Sequence, residues 1–485
     1  MKHKLIIILN LMFLGLSLTG CKKLVEVGGP KTSLSSAGMY EKDVTAASVL
    51  TGIYSMMSAT GIQTTTLSGI CYFTGLSSDE LALIKNSNQQ FLFYYSNMLN
   101  SQDANTFWNN IYPEIYVVNE AIDGISRSET LTPMIKQQLL GEAKFIRAFC
   151  FFYLVNLYGD VPLILGTDYK VNTLMSRTSK AKVWEQIITD LKEAETLLSP
   201  DYLDASLKNV SGERVRPTKW AATSLLARTY LYIKDWKRAE EQASVLLKNP
   251  NYELAPLKGV FLKNNKEAIW QLQPVRIGDN SQEAIGFVID PRVAIDRTPA
   301  TLSPSLLKRF DSGDQRKNNW INTTAMGGIT YTYAYKYKKV NFSGDINFPV
   351  DEYSTVLRLA EQYLIRSEAR IQQGNIVEGI ADLNVLRRRA TDITVASSKQ
   401  LQLINSNLSK EEALLAVEHE RQIELFTEWG HRWLDLKRTN RIDVVMEAEV
   451  PQKIPKAIWK SYQQWYPIYF GEIQKGPNLV QNEGY

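Results

Sequence analysis

The chain has 485 residues, of which 44% are hydrophobic, 22% charged and 10% aromatic, and its mean hydropathy is -0.22. This is ordinary globular composition with enough apolar surface for a large core, and three cysteines imply no disulfide framework. A formal net charge of +4 at this length argues against nucleic acid as a partner.

Lys2 and Lys4 form a positive start, followed by an apolar run over 5–18 that is too short to cross a bilayer and is interrupted by Asn10 and Gly15. Leu18-Thr19-Gly20-Cys21 then matches a bacterial lipobox, in which small residues admit the peptidase and the Cys21 thiol takes the lipid. Residues 1–20 therefore read as a lipoprotein signal, and 21–40, polar with Gly28-Gly29-Pro30, as a tether. A multiply acylated cysteine anchors stably to a membrane. Cys71 and Cys150 remain. Phe149-Cys150-Phe151-Phe152 reads as buried helix, so both are expected as buried thiols rather than a bridge.

Residues 41–485 read as a single domain. Its part 41–250 is helical, beginning with an amphipathic helix over 43–57. Residues 58–105 promise only helical fragments. Helices follow over 107–125, with Pro113 early, and over 139–157, strongly apolar and stopped by Gly159-Asp160-Val161-Pro162. Another runs over 183–198. Helices over 218–233 and 236–247 form a pair in which Ala227, Ala239 and Ala243 permit close approach, at the spacing of a tetratricopeptide repeat. A second such pair spans 364–390 and turns at Gly374-Asn375. The two pairs lie 140 residues apart, so they must be gathered in space around a long insertion.

That insertion, 251–355, holds a short strand at 268–273, Pro/Gly/Asn-punctuated loops, and a strictly alternating stretch over 329–340. Tyr331, Tyr333, Tyr335 and Tyr337 recur there on one face, as in a β-hairpin arm or an edge strand.

Residues 356–440 return to helix. Ser409 and Glu412 make a capping box for a helix of roughly six turns that Gly430 should stop. Glu420, Glu424 and Glu428 stack at i/i+4, a ladder of like charges that destabilises a lone helix. Cations facing the ladder would resolve this, and Arg421, Arg432, Arg438 and the Arg387-Arg388-Arg389 run are candidates. A structural ion network is the favoured reading; a solvated acidic face or a catalytic carboxylate site are the alternatives. The tail, 441–485, is rich in Pro and Trp, shows no period, and is expected to wrap the helical body.

The C-terminal series Glu420-Arg421, Glu424-Leu425, Glu428, Gly430, Arg432-Trp433, Asp435-Leu436 and Arg438 resembles the signature of the SusD/RagB family of outer-membrane nutrient-binding lipoproteins. Two residues, Trp429 and His431, stand on either side of Gly430 within it. The stretch GEAKFIRAFCFFYLVNLYGDVPL, preceded by Trp108, Tyr112, Ile115 and Asn119, is similar to a second family pattern. The resemblance implies an all-α-dominated fold of tetratricopeptide-like helix pairs in a right-handed scaffold, with inserted loops and small hairpins. It implies a non-enzymatic lipoprotein of the outer membrane, facing the cell surface. Such a protein captures an oligosaccharide, or sometimes a peptide, and delivers it to a SusC-like TonB-dependent transporter. Lys22 and Lys23 follow the lipidated cysteine, where acidic residues often accompany surface export in this family.

Searches for other chemistry fail. His419 and His431 stand in no zinc spacing, Gly471–Gly476 lacks the Lys-Ser/Thr of a P-loop, and Ser305-Leu306-Leu307-Lys308 lacks the companions of a penicillin-binding site. No cofactor or metal is implied. Paired carboxylates suited to glycoside hydrolysis stay open, as does a helical scaffold that binds protein partners. The family motif fixes no binding residues. Sugars stack on flat aromatic faces and are read by amides and guanidinium groups. Loop-borne candidates are Tyr72, Phe73, Tyr94, Tyr95, Trp320, Tyr331 and Tyr333, with Arg276 and Arg292 as polar help.

Overall fold

The most apolar stretch of the chain becomes its central helix, Pro133–Tyr158, in which every residue from Phe145 to Val155 is buried. A helix apolar all round must be enclosed by others, and this one is. The computed structural model describes residues 37–59, 69–84, 88–104, 106–293 and 300–485. Cys21, the signal over 1–20 and most of the tether lie outside them. The longer helices are α1 (Asp43–Ala59), α2 (Ile70–Ser77), α3 (Gln89–Tyr95), α4 (Thr106–Arg127), α5 (Pro133–Tyr158), α6 (Lys180–Leu197), α7 (Lys219–Tyr232) and α8 (Trp236–Leu247). After the insertion come α9 (Leu359–Gln372), α10 (Ile376–Arg389), α11 (Lys410–Leu425), α12 (His431–Arg438) and α13 (Ile442–Lys453).

Each helix from α4 to α10 packs on the next, and α11 closes on α9. The α7/α8 and α9/α10 pairs are the tetratricopeptide-like units, and α8 lies directly against α9. The small residues act as expected: Ala227, Ala239 and Ala243 are fully buried. At Gly379 a Cβ would come within 2.5 Å of Ile371 Cγ1 and 2.9 Å of the Ser367 carbonyl oxygen. Buried polar bonds join the pairs. Arg228 grips Glu361 through two 2.7 Å hydrogen bonds, and Gln362 donates to Ser224 Oγ.

The insertion folds back on this body. Strands β1 (Leu81–Leu83) and β3 (Ala300–Leu302) pair antiparallel, as do β2 (Ala268–Leu272) and β6 (Ser354–Arg358), and β4 (Ile321–Met326) and β5 (Ile329–Ala334). The β4–β5 hairpin turns at Gly327-Gly328, both at positive φ, the conformation that a tight two-residue hairpin turn requires. The alternating stretch is thus a hairpin strand, though it leaves the ladder after Ala334.

Two expectations need correction. The tail does contain a helix: α13 buries Ile442, Met446 and Val450 at i/i+4/i+8. Beyond it the tail wraps as expected, with Tyr466 N–H donating to the Leu157 carbonyl and Asn482 Nδ2 to the Tyr158 carbonyl. The signature helix ends at Leu425, so Glu428 is not on it. Thr427, Trp429 and Gly430 all take positive φ and reverse the chain into α12. Gly430 is the start of α12 rather than the stop of α11, and a Cβ there would sit 3.0 Å from Thr74 Oγ1. Cys71 and Cys150 are both buried, with Trp429 N–H donating to Cys71 Sγ and the Cys150 thiol beside Glu114.

Three core carboxyls, Glu80, Glu114 and Glu283, each leave one oxygen without a hydrogen-bond partner among the described residues. Burial pushes Glu114 up to about 8 and Glu283 up to about 7; burial and the adjacent Asp79 push Glu80 up to about 8. A carboxyl raised in the fold stabilises fully below its ordinary value, and that stability is lost as pH rises through the folded value. The denaturant midpoint is therefore expected to fall between about pH 5 and about pH 7. Glu114→Gln should flatten that slope; an unchanged slope would refute the assignment.

Candidate functional site

The residues of the C-terminal signature build an ion network, not an open site. Five carboxylates (Glu267, Asp314, Glu420, Glu424 and Glu428) face five cations (Arg316, Lys336, Arg358, Arg387 and Arg389). Arg316 Nη1 donates to Glu420 at 2.5 Å and Glu424 at 2.9 Å. Arg358 reaches Glu267, Glu424 and Glu428 at 2.7–2.9 Å, and Arg389 donates to Glu424 at 2.5 Å. Burial alone would raise the Glu424 carboxyl, but the guanidinium groups of Arg389, Arg358 and Arg316 overcome it and hold it well below the usual range. Lys336 Nζ bonds Glu428 at 2.5 Å inside a cage of Phe426, Trp320 and Phe261, 4.0, 4.9 and 5.4 Å from their ring centres. Burial lowers it to about 8.

Of the cations proposed from sequence, Arg387 and Arg389 join the ladder. Arg388 is exposed, and the other three pair elsewhere: Arg421 with Asp435, Arg432 with Asp79, and Arg438 with Asp435 and Glu368. Sequence reasoning missed Arg316 and Lys336, which arrive from the insertion, and Arg358, which ends β6 just after it. Trp433 is fully buried, stacked on Tyr466 and edge-on to Trp459.

The aromatic candidates separate. Tyr72, Phe73 and Tyr94 are core residues on α2 and α3, with Phe73 and Tyr94 stacked at 4.2 Å and Tyr72 against Phe287. Trp320 is 0% exposed; its Nε1 donates to the Leu257 carbonyl at 2.9 Å. Tyr333 is buried too, its hydroxyl accepting from Asn322. A ring without a free face offers nothing to a sugar, so these five are corrected to packing roles. Tyr95 and Tyr331 are half-buried, and Lys453 lies 5.2 Å over the Tyr95 ring. Arg276 and Arg292 are exposed, the latter paired with Asp290.

The aromatic surface that is open to solvent lies elsewhere. On α4, Trp108, Tyr112 and Tyr116 recur at i/i+4/i+8 in a ladder ~12 Å long that runs from the buried Trp108 through the half-buried Tyr112 to the exposed Tyr116. Trp108 and Tyr112 stand 4.8 Å apart, and the Tyr112 hydroxyl donates to the Pro162 carbonyl. Burial, with Glu472 nearby, keeps that phenol neutral, raised well above its ordinary value although Arg177 opposes the shift. Pro162, Ile164, Tyr169, Asn172 and Met175 form the second wall. The third is the returning tail, with Glu472, Lys475 and Leu479. Together they enclose a cleft of about 610 Å³. Tyr116 is 47% and Tyr169 71% exposed, so both rings present faces; Asn109, Asn172 and the Glu472–Lys475 pair supply hydrogen-bonding groups. The i+4 recurrence was the available signal. A second cleft, about 510 Å³ between the α7–α8 corner and α11–α12, is lined by charges already paired with one another, such as Arg438–Glu368 and Arg441–Glu418.

The described residues thus define a tetratricopeptide-like helical scaffold carrying an inserted strand-and-loop region and an aromatic cleft. Comparison with known proteins agrees. Residues 35–231 match a family described as "Starch-binding associating with outer membrane", and 308–485 match the SusD family model, which together take in well over half of the chain. The chain belongs to the SusD/RagB family. It is 22% identical to SusD-like protein P25 of Formosa agariphila over 97% of both chains, and 27% identical to SusD-like protein P2 of the same organism over 87% of this chain and 88% of that one. A SusD superfamily protein of Bacteroides vulgatus superposes with a TM-score of 0.76 at 20% identity, over 92% of this chain and 100% of that one. Surface glycan-binding protein A of Bacteroides fluxus gives 0.73 at 19%, over 91% and 99%. Likeness at this identity establishes the shared fold.

Proposed function

We infer that the protein is a nutrient receptor of the outer membrane. It is anchored through lipidated Cys21, binds an oligosaccharide, and delivers it to a SusC-like TonB-dependent transporter. The aromatic cleft carries the binding part of this reading, because exposed rings beside amides and an ion pair are what sugar C–H faces and hydroxyls require. The description of the matched family as starch-binding and the name of the Bacteroides fluxus glycan-binding protein support the carbohydrate class. Family membership supports the transporter partner and the surface location in this reading. Tyr331, Tyr95, Arg276 and Arg292, the predicted residues that keep exposure, are proposed as a secondary contact surface. The hydrolase alternative loses its best carboxylates, since Glu420, Glu424 and Glu428 are sealed and paired.

The soluble Cys21→Ser chain titrated against oligosaccharides and peptides provides the test. Tyr116→Ala and Tyr169→Ala are each expected to weaken glycan binding by ~1.5–3 kcal/mol, the value of covering one large ring, with the melting temperature unchanged. Full affinity in both variants would remove the cleft from the site. Binding of peptides alone would replace the ligand class.

A further inference from the structure

The outer wall of the cleft shows aliphatic side chains that no sugar needs. On the lobe 163–176, Leu165, Val171 and Leu174 are 41%, 58% and 58% exposed, and Val480 of the adjoining tail is 69% exposed. Only the neighbouring Tyr169 offers a flat ring. The lobe is held in shape while displaying them. Asp168 caps its short helix Tyr169–Asn172, Asn172 Nδ2 donates to the Gly166 carbonyl, and Asn478 Nδ2 reaches over from the tail to the Leu174 carbonyl. Apolar side chains fixed in solvent mark a contact with something dry.

Charge says what that is. Residues 165–182 carry four basic side chains, Lys170, Arg177, Lys180 and Lys182, against one acidic, Asp168. Lys180 and Lys182 open α6, where the Asp160 carboxylate accepts from the Lys180 N–H and meets the helix dipole, leaving the lysine charges in excess. Lys170 and Lys182 are exposed and have no ion-pair partner among the described residues. Exposed aliphatic side chains on a segment that also carries the unpaired Lys170 and Lys182 suit a lipid surface that offers acyl chains at one depth and anionic headgroups at another. The described chain also enters on this helix. Tyr40 packs on Gly124 of α4, whose first turns wall the cleft.

We propose that the lobe 163–182 rests on an anionic lipid surface, with Leu165, Val171 and Leu174 in the interface and Lys170 and Lys182 at the headgroups. The proposal rests on the lipoprotein reading for its setting and is independent of the glycan. A lipid anchor alone leaves the body free to tumble; this second contact fixes which side faces the bilayer and stands the cleft mouth beside it.

The mature chain carrying Cys21→Ser isolates the contact from the acyl anchor. It is expected to co-sediment with phosphatidylcholine vesicles containing phosphatidylglycerol, to release at high salt, and to ignore phosphatidylcholine alone. Val171→Asp with Leu174→Asp should weaken this by about tenfold or more, since burying one such side chain already carries that factor. Both side chains lie outside the cleft, so glycan titration should not change. Absence of vesicle binding by the Cys21→Ser chain, or equal binding by the double variant, would overturn the proposal. If vesicle binding is absent and the double variant instead loses a purified partner protein, the lobe is a protein interface and the lipid assignment is wrong. A chain that binds vesicles and no glycan would sink the nutrient reading while leaving this one standing.

Discussion

Glu424→Ala is expected to cost roughly 3–5 kcal/mol, the range for removing one partner from a buried ion pair. The guanidinium groups of Arg316, Arg358 and Arg389 would then border a cavity that has lost their one shared anion, with Glu267 left to bridge only Arg358 and Arg389. Glu424→Gln should fall between, since it keeps the volume and one acceptor oxygen. The Glu424 carboxyl is held low in the fold, so its contribution is present at neutral pH and is lost as pH falls below the ordinary carboxylate value. Equilibrium denaturation at pH 7 and in acid measures both. A midpoint equal to wild type at neutral pH would mean that the network is solvated in solution.

Trp320→Ala is expected to cost ~3–5 kcal/mol, as for other large rings removed from a core. The ring fills the space between Phe261 and Phe426, covers Lys336 and Arg389, and ties its indole N–H to Leu257. Its loss opens a void and exposes a caged ammonium at once. Glycan affinity per folded molecule should be unchanged. An intact midpoint with weakened glycan binding would restore Trp320 to the ligand site and undo its assignment to the core.

That reversal shows where sequence reading reached its limit. The helix carrying Trp320, Gln315–Trp320, has six residues, too few for an apolar period to declare which face is buried. A tryptophan among asparagines then looks like a loop residue. By contrast α8 spans Trp236–Leu247 as its sequence predicts, since Ala239 and Ala243 recur on one face; the Asp235 cap is seen only in the structure. The Ser409–Glu412 capping box is present as read, since both partners lie within one turn. The ladder was legible as a problem, but only half of its solution was. Arg387 and Arg389 could be suspected from a basic run, whereas Arg316, Arg358 and Lys336 come from 66 to 108 positions away along the chain, a separation that no local spacing encodes. The turn that removes Glu428 from the helix depends on positive φ at Thr427 and Trp429, two residues whose identity forecasts nothing of the kind. The cleft was hidden for a different reason. Its three walls come from α4, the segment after α5 and the tail, and sequence gives each wall without their convergence.

The direct packing of α8 on α9 has a kinetic consequence. Within each helix pair three residues make the connection, but between the pairs about 110 residues intervene. Closing that loop costs roughly 3 kcal/mol more entropy than closing a three-residue link. A tandem repeat array can start folding at any repeat and spread along its neighbours. Here the second pair has nothing to spread from until the whole insertion has been made and drawn in, with Arg316, Lys336 and Arg358 delivered to the signature helix in the same event. The helical stack therefore forms late and together with its insertion, and a chain cut short anywhere before α9 is left with α8 bare on the side that α9 would cover.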